Sequence, residues 1–587
     1  MKKTIVILCS ILLVFTPKIS TTEAKETDNV RDSYACSVVL YGKVQFTNQL
    51  IHVPVGEKSF IMFMSMDLLD GSEVTVTIDN EVFDFDHSGK MNIVGFFGLY
   101  TESNDEDPYD GKTYIDLDGR ALYATIEGET FEEVGDSYVP IIESLDNITY
   151  SLDTSPLELS DADLERLSYL SECQIVGLGE ATHGTKEFFQ LKHRIFKYLV
   201  EQHDFKIFAF ECDMGESYYV DNYVTEGEGD IDDIMTNKMQ FWTWRTEEVK
   251  SLLLWMKEFN EGKSDEDKIH FIGVDCQFLT YQADIILNYF NETNIPLSED
   301  CIEFLHEIDQ IGSNVIEYYE TISQNKKTEI DQSADVLLAI FEEVKNELIA
   351  ASSPFDYQVI KHLALNIKQV NDVLYGYAHY SPKNYRDQYM AENTLWTSDL
   401  FGENTKVALW AHNGHVGNWE SYDSVGFHLK EALNDTYQII GFAFSFGSFM
   451  ARKINENYRL DVCYLTQEPK FGSINYVLHH AHDKNFILRE SDIPADSALD
   501  TWISKSRNFL LIGATYGDDS YEWYYPIKCK EYFDILIYWD ITTAAEPLIP
   551  TDGYPSCSTI EDFWNPPNCR NLCIPLTISL KEGRRSG

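Results

Sequence analysis

Basic residues are scarce in this sequence of 587 residues. Lysine and arginine total 45 against 97 aspartate and glutamate residues, which gives a formal net charge of −52 at pH 7. Nucleic acids and anionic membrane surfaces are bound through a basic footprint, so this composition argues against both as partners. The acidity is typical of a strongly solvated surface, and a cationic substrate is the alternative interpretation.

Long apolar runs are also lacking beyond the N-terminus. Lys2 and Lys3 precede an apolar run over residues 5–15, and the sequence Thr-Glu-Ala at residues 22–24 is an acceptable cleavage site. This pattern predicts a secretory signal peptide over residues 1–24. No later stretch has eighteen consecutive apolar residues. We therefore expect a mature chain without a transmembrane segment, secreted or held at the cell surface.

Two motifs of familiar catalytic and metal-binding proteins are missing. No G-x-S-x-G sequence follows a predicted strand, which argues against a serine nucleophile. The eleven cysteines do not form the paired CxxC motifs of a zinc ribbon. An exported chain can carry disulfides, and a bridge between Cys212 and Cys276 is geometrically conceivable because each follows a predicted strand end by one residue.

Composition changes along the chain predict several domains. Short β-type runs separated by Gly, Asp and Asn turns indicate a small sandwich or barrel over residues 34–150. Residues 156–545 alternate strand and helix patterns, which predicts an α/β domain with a central, mostly parallel sheet and flanking helices. Amphipathic patterns over about residues 280–400 indicate a helical insertion, and residues 547–587 form a Pro- and Cys-rich tail.

Ionisable side chains follow four of the predicted strands. Apolar runs at residues 175–179, 206–210, 268–274 and 406–411 end in Glu180 with His183, in Glu211, in Asp275, and in His412 with His415, respectively. In open parallel sheets, ligands bind outside the carboxyl ends of the strands, and neighbouring strands lie about 5 Å apart. We therefore expect these side chains to line one crevice, although Asp275 could equally bind loop amides.

Three chemistries are compatible with this set of side chains. In the first, His183 acts as a general base on water, Glu180 or Glu211 orients the imidazole, and His412, His415 or a cation stabilises the oxyanion. In the second, a divalent metal is held by His183, Glu211, His412 and His415. The third, a nucleophilic route, has the least support because the serine motif is absent.

The same segments resemble the erythromycin esterase family, which also includes proteins of succinoglycan biosynthesis. The resemblance extends over about residues 170–450. It is carried by the sequences GEATHGT at 179–185, EFFQLKHR at 187–194, FE at 210–211, GVD at 273–275, RD at 386–387 and WAHNGH at 410–415.

This resemblance implies a cleft between an α/β core and a helical subdomain, in which activated water hydrolyses a macrolide lactone. It implies that His183 is the general base, that Glu180, Glu211, His412 and His415 are further cleft residues, and that Arg386 is a cation on the helical side. Lys192 stands where some members have arginine, an exchange that loses the bidentate fork. Lys192, Arg194 and Asp275 are interpreted as substrate-binding residues.

The sequence thus predicts an exported hydrolase of a carboxylic ester or lactone that needs no cofactor. Its partner would be a small-molecule or glycan ester. Two alternatives stay open: a surface protein that binds a ligand without turnover, motivated by the N-terminal β region, and a hydrolase that depends on a divalent metal.

Overall fold

The computed structural model describes residues 138–549, apart from gaps at 313–314, 403–404, 457, 471 and 518–522, and strands between residues 44 and 121. The predicted signal peptide and residues 550–587 of the tail lie outside the described residues. The described N-terminal strands pair antiparallel and are Val44–Phe46, Gln49–Ile51, Ser59–Met62, Met66–Leu68, Glu73–Ile78, Glu81–Asp86, Met91–Ile93, Phe96–Leu99, Tyr114–Leu117 and Arg120–Ala121. Whether they form a sandwich or a barrel stays a prediction.

A sheet of eight strands forms the centre of the main domain. Its strands are β1 (Tyr150–Ser151), β2 (Ile175–Leu178), β3 (Ile207–Asp213), β4 (His270–Asp275), β5 (Val407–Trp410), β6 (Tyr437–Ala443), β7 (Asn485–Arg489) and β8 (Ile535–Trp539). Their order is β1-β7-β8-β6-β2-β5-β3-β4. The six strands from β8 to β4 run parallel, and β7 and β1 add an antiparallel edge. The α/β class with a mostly parallel sheet is confirmed.

The central strands are continuously apolar because both faces of the sheet are covered. Every residue of β2, β3 and β5 is buried. Alternate side chains enter two different hydrophobic cores, as the two-residue period of a strand requires. One core takes Val176, Leu178, Phe208 and Phe210, and the other takes Ile175, Ile207 and Ala209.

Helices cover the sheet and form a layer of their own. They are α1 (Val139–Asp146), α2 (Lys186–His203), α3 (Met214–Glu226), α4 (Glu247–Asn260), α5 (Gln282–Thr293), α6 (Glu299–Ile311), α7 (Val315–Thr321), α8 (Gln324–Glu343), α9 (Lys345–Ala351), α10 (Pro354–Ala378), α11 (Tyr385–Thr397), α12 (Asn413–Val416) and α13 (Val425–Leu433). Helices α5 to α10 bury a third core between themselves. No helix in the described part of the chain is both long and apolar enough to cross a membrane.

A second, smaller sheet follows β6 in the sequence and contacts the first sheet. It contains Phe446–Lys453, Arg459–Leu465, Thr515–Tyr516 and Ile541–Thr542, while Arg507–Leu510 pairs with Tyr524–Ile527. Short helices Ile474–His479, Ala498–Ile503 and Cys529–Tyr532 complete this region. Its loop at Ile512 returns to the first sheet, where the Ile512 amide donates to the Ala181 carbonyl at 2.7 Å.

The suggested bridge between Cys212 and Cys276 does not form. Both residues are buried free thiols, as are the other cysteines that the structure describes, Cys173, Cys301, Cys463 and Cys529. Burial, with Glu216 beside Cys212 and Asp275 beside Cys276, holds the pKa of both thiols well above the usual value. The tail cysteines lie outside the described residues.

Candidate active site

The strand order places four strand ends side by side. Strands β2, β5, β3 and β4 are consecutive neighbours, so the loops that follow them meet at one edge of the sheet. The ring centroids of His183, after β2, and His412, after β5, lie 5.0 Å apart. The side chains at this edge form two hydrogen-bonded groups, which meet where the His183 ring lies beside the His412 ring. One is centred on Glu180 and the other on Glu211 and Arg386. Together they are called here the strand-end cluster: Glu180, His183, Lys192, Glu211, Asp275, Arg386, Asp387, His412 and His415.

The turn after β2 passes very close to other backbone segments. A Cβ atom on Gly184 would lie 2.2 Å from the Met450 carbonyl oxygen, and one on Gly179 would lie 2.1 Å from the Asn413 Oδ1. Only glycine fits at such approaches. Thr185 occupies the N-cap position of α2, but its hydroxyl bonds to Thr182 at 2.6 Å rather than to a helix amide. The turn is therefore held between the backbone at Met450 and the side chain of Asn413.

Glu180 is fully buried and accepts three hydrogen bonds. Its Oε1 lies 2.7 Å from His183 Nδ1, and its Oε2 accepts from Trp410 Nε1 at 2.9 Å and from the Lys192 ammonium. Burial alone would raise the pKa of Glu180, but Lys192 and the hydrogen bond from His183 lower it below the usual value. Glu180 is therefore an ionised acceptor.

The Glu180 carboxylate determines which nitrogen of His183 carries a proton. Because an ionised carboxylate only accepts hydrogen bonds, Nδ1 of neutral His183 is the protonated nitrogen and Nε2 holds the lone pair. Among the described residues, no group bonds to this Nε2. The residue is 6% exposed, so part of the ring is accessible to solvent. This is the arrangement of a base that can accept a proton from water.

Arg386, at the start of α11, is clamped by two carboxylates. Its Nε and Nη2 donate to the two oxygens of Asp275 at 2.9 and 2.7 Å, and Nη2 also donates to Glu211 Oε1 at 2.8 Å. The other oxygen of Glu211 accepts from the His412 amide at 2.8 Å. Burial opposes ionisation of Glu211, but His415 and Arg386 hold the pKa of its carboxyl well below the usual range.

His415 is a cation at neutral pH. Burial opposes its charge, but Asp387 and Glu211 raise the pKa of His415 to about 10. Its Nδ1 lies 2.7 Å from Asp387 Oδ2, and its Nε2 lies 3.3 Å from Glu211 Oε1. Arg386 Nη1 is only 3.1 Å from the same Nε2, so two cations are held side by side by three carboxylates.

His412 has the opposite character. Burial and the neighbouring His183 lower the pKa of His412 to about 3, so the ring is neutral. Its Nδ1 accepts from the Gly414 amide at 3.1 Å, and its Nε2 donates to the Ile512 carbonyl at 3.1 Å. Both nitrogens are thus bonded to the backbone. The predicted role of His412 in stabilising an oxyanion is not supported, because neither nitrogen is left to donate to a substrate. The ring packs beside His183 instead.

The interpretation of three residues as substrate-binding is not supported. Lys192 is fully buried under Glu180 and lies 4.1 Å from the centre of the Trp410 ring, and burial lowers its pKa to about 8 against the effect of Glu180. Asp275 is fully buried, and each of its oxygens already accepts two hydrogen bonds. Arg194 lies outside the strand-end cluster and bonds to the Leu159 carbonyl and to Asp161.

Three residues that shape the cluster had no predicted role. Asp387 follows Arg386 directly, and Trp410 comes two residues before His412, so both lie inside the family motifs. This proximity in sequence to predicted site residues could have identified them. The Ile512 carbonyl comes from the second sheet, a hundred residues after His412, and no sequence pattern marks it.

The alternative set of metal ligands does not fit an ion in this arrangement. Both nitrogens of His412 and both oxygens of Glu211 are already bonded, and both nitrogens of His415 face carboxylates. In the described part of the chain, no three such side chains converge in a way that could hold a metal. Only His183 Nε2 is left as a donor atom.

The sequence profile of the erythromycin esterase family matches residues 200–542. The chain belongs to the erythromycin esterase family. The matched range includes Glu211, Arg386, His412 and His415 and begins after His183. A relative, erythromycin esterase type II of Escherichia coli, is 26% identical over 356 residues, which cover 56% of this chain and 83% of that protein.

Two solved structures share the fold at 25% identity. A Bacillus cereus protein has a TM-score of 0.61 and covers 69% of this chain and 98% of its own. A succinoglycan biosynthesis protein has a TM-score of 0.59, with 69% and 97% covered. Membership in the erythromycin esterase family and the relative from E. coli support a hydrolase activity.

Proposed function

We propose that the protein is an exported hydrolase that cleaves a carboxylic ester or lactone with water activated by His183. The observation that carries this proposal is the pair formed by Glu180 and His183. The carboxylate holds Nδ1 at 2.7 Å, and among the described residues the Nε2 lone pair has no partner. Membership in the erythromycin esterase family supports the class of reaction.

In the first half of the reaction, His183 Nε2 takes a proton from water while the water oxygen attacks the carbonyl carbon. The imidazolium that forms faces the ionised Glu180, which stabilises it. The carbonyl oxygen becomes an oxyanion in the tetrahedral intermediate. In the second half, the carbon–oxygen bond to the leaving alkoxide breaks, and the imidazolium returns its proton to that oxygen. A lactone opens to a hydroxy acid.

Arg386 is the cation best placed to stabilise the oxyanion. Its Nε and Nη2 are held by Asp275 and Glu211, whereas Nη1 has no carboxylate partner and lies beside the His415 ring at 3.1 Å from Nε2. Arg386 and Glu211 are each 5% exposed, and His183 is 6% exposed, so each of the three has some surface accessible to solvent. A guanidinium fixed in this way needs no reorganisation when charge develops on the substrate.

The substrate we propose is a macrolide-like lactone, and a glycan or other small-molecule ester is the second member of the same class. The relative named erythromycin esterase type II supports the lactone. Export rests on the features of residues 1–24 in the sequence. We propose that the protein acts outside the cytoplasm, in secreted form or at the cell surface.

The test is hydrolysis of a macrolide lactone and a panel of 4-nitrophenyl esters in water labelled with ¹⁸O. Wild type should place one labelled oxygen in the product acid. His183→Ala should lower kcat by a factor of about 10² to 10⁴, because general base catalysis contributes that much, with little change in thermal stability. Unchanged kcat in this variant would refute the role of His183. A saturable thermal shift without turnover in either protein would favour a non-catalytic binding protein.

A further inference from the structure

A groove in the helical layer lies apart from the strand-end cluster. It has a volume of 980 Å³ and is walled by helices α8 to α11. Its floor consists of His362, Gln369 and Asn393, and it is called here the insertion groove. Trp396, on its wall, comes ten residues after Arg386 in α11, which corresponds to about 15 Å along the helix.

The floor of the insertion groove is held rigidly by neutral polar groups. Asn393 Nδ2 donates to the Val274 carbonyl at 2.9 Å, and the amide groups of Asn393 and Gln369 exchange hydrogen bonds of 2.8 and 3.0 Å. Asn366 Nδ2 donates to Gln369 Oε1 at 3.2 Å from behind. Small-molecule sites are usually preformed in this way, with a few fixed polar groups in an apolar setting.

These bonds determine the tautomer of His362. Because Asn393 Nδ2 donates to a carbonyl, its Oδ1 is the acceptor that faces His362 Nε2 at 2.8 Å, and Nε2 must carry the proton. Burial lowers the pKa of His362 to about 4, so the ring is neutral. Its Nδ1 is then a bare acceptor, for which the described residues supply no donor. The ring is also stacked on Trp396, with centroids 3.7 Å apart.

The walls of the insertion groove are apolar and its rim is neutral. Leu338, Ile349, Tyr357, Leu365 and Trp396 supply the apolar surface. The four charged rim residues are two lysines and two glutamates, so their formal charges cancel. Each has a contact already: Lys361 with Glu342, Lys345 with the Tyr357 ring at 5.5 Å, and Glu392 with Gln388 at 2.8 Å.

We propose that the insertion groove is a second small-molecule site, which binds an uncharged molecule with an apolar ring and a hydroxyl or amide donor. The donor would reach His362 Nδ1, and the ring would lie against Trp396 and Leu365. A carboxylate on the floor of the groove would lose its hydration and would meet only the neutral groups of His362, Gln369 and Asn393. The site does not depend on the hydrolytic activity proposed above.

The test compares two probes that differ by one carboxylate, 4-nitrophenyl β-D-glucopyranoside and 4-nitrophenyl β-D-glucuronide. In isothermal titration calorimetry of the full chain, the neutral glucoside should bind with a dissociation constant of about 1 mM or less. The glucuronide should bind at least about tenfold more weakly. Binding of the glucoside should persist in His183→Ala, because the groove lies away from the cleft.

Leu365→Trp should fill the groove and weaken binding of the glucoside at least about tenfold. Gln358→Trp, on the same wall, should do the same if the first variant folds poorly. Leu254→Trp on the exposed face of α4 is the matched control and should bind like wild type. Equal binding of both probes, no saturable binding to wild type, or wild-type affinity in the groove variants would overturn the proposal. Loss of glucoside binding in His183→Ala would also overturn it. The same holds if sedimentation shows a wild-type dimer that Leu365→Trp converts to a monomer, because the groove would then be an interface between two copies of the chain.

Discussion

The proposed chemistry depends on one carboxylate that sets both the tautomer and the charge of one imidazole. Glu180 can do this because it is ionised although fully buried. Lys192 supplies the compensating charge, and Trp410 and His183 satisfy the remaining lone pairs. A buried charge without such partners would cost several kcal/mol. Lys192 is thus best understood as a positioning residue beneath the base.

Replacement of Glu180 by glutamine tests this dependence. Glu180→Gln keeps the size of the side chain, but its amide can present an N–H to His183 Nδ1 and favour the wrong tautomer. Loss of the orienting carboxylate in a catalytic triad costs about 10⁴ in kcat, and we expect a loss of about 10³ to 10⁴ here. The measurement is kcat on the best ester of the panel.

The control for this prediction is Glu201→Gln at the exposed end of α2, which should keep wild-type kcat. The thermal stability of both variants shows whether a loss of activity comes from unfolding. A folded Glu180→Gln protein with wild-type kcat would contradict the role of Glu180.

Most residues of the strand-end cluster could be predicted because they lie at or just after the ends of β2, β3, β4 or β5 in the sequence. The ends of these four strands meet at one edge of the sheet. Side-chain direction was harder to predict. Lys192 and Arg194 are two residues apart in α2, a rotation of about 200°, so they point to opposite sides of the helix. Lys192 reaches Glu180, and Arg194 reaches Asp161. The helical period of 3.6 residues was therefore enough to separate Lys192 from Arg194. Their place in the same family motif was not.

At the scale of elements, the turn between β2 and α2 determines where His183 lies. Gly184→Ala should disturb it, because the new Cβ would overlap the backbone of Met450. We expect a loss of about 1 to 3 kcal/mol in the free energy of unfolding, as for other overpacked sites. We also expect a fall of about 10² in kcat, since a shift of about 1 Å in a catalytic group can cost that much.

Gly517→Ala is the matched control, because no atom of the described residues lies within 4 Å of its Cβ position and its backbone conformation suits alanine. It should change the free energy of unfolding by less than about 0.5 kcal/mol. Urea unfolding followed by circular dichroism measures both variants. Equal stability and equal kcat for both would show that the turn has more room than the structure gives it.

The apolar runs predicted the central strands to within a few residues, because buried parallel strands are apolar throughout. Their order in the sheet was not predictable in this way. β5 enters between β2 and β3 although it lies about 200 residues after them, and this insertion is what brings His412 beside His183. Such long-range placement depends on how whole layers pack, and no local pattern records it.

For the whole molecule, two buried groups predict how stability depends on pH. Burial, with Asp275 nearby, raises the pKa of Asp213 to about 8 despite a hydrogen bond from the Gly215 amide, and the pKa of His415 is about 10. Both values exceed those of an unfolded chain, about 3.9 and 6.5. At these two groups the folded state binds more protons, and four buried thiols with raised pKa values add to this above pH 8. Lys192, with a pKa of about 8, opposes this effect above pH 8, and the neutral rings of His362 and His412 oppose it below pH 7. The free energy of unfolding should therefore fall as pH rises from 7 to 10.

Urea unfolding at pH 7, 8 and 10 measures this decline, which should amount to several kcal/mol in order of magnitude. Glu211 has a lowered pKa and is ionised in both states across this range, so it adds no slope. Asp213→Asn should flatten the part of the curve between pH 7 and 8 and leave most of the part above 8. Stability that is constant or rises over the whole range would contradict the assignment.

The cysteines give a prediction about the covalent state of the main domain. An exported chain was expected to permit a bridge between Cys212 and Cys276, but the structure gives buried free thiols. Burial raises the pKa of Cys173 and of Cys529 to about 12, which keeps these thiols protonated and unreactive. In the native protein without reductant, an alkylating reagent should therefore leave all six described cysteines unmodified. In denaturant, still without reductant, mass spectrometry should find all six alkylated. Reactivity of Cys212 and Cys276 only after reduction would show that the bridge exists. The free thiols that the structure gives at these two residues would then be wrong.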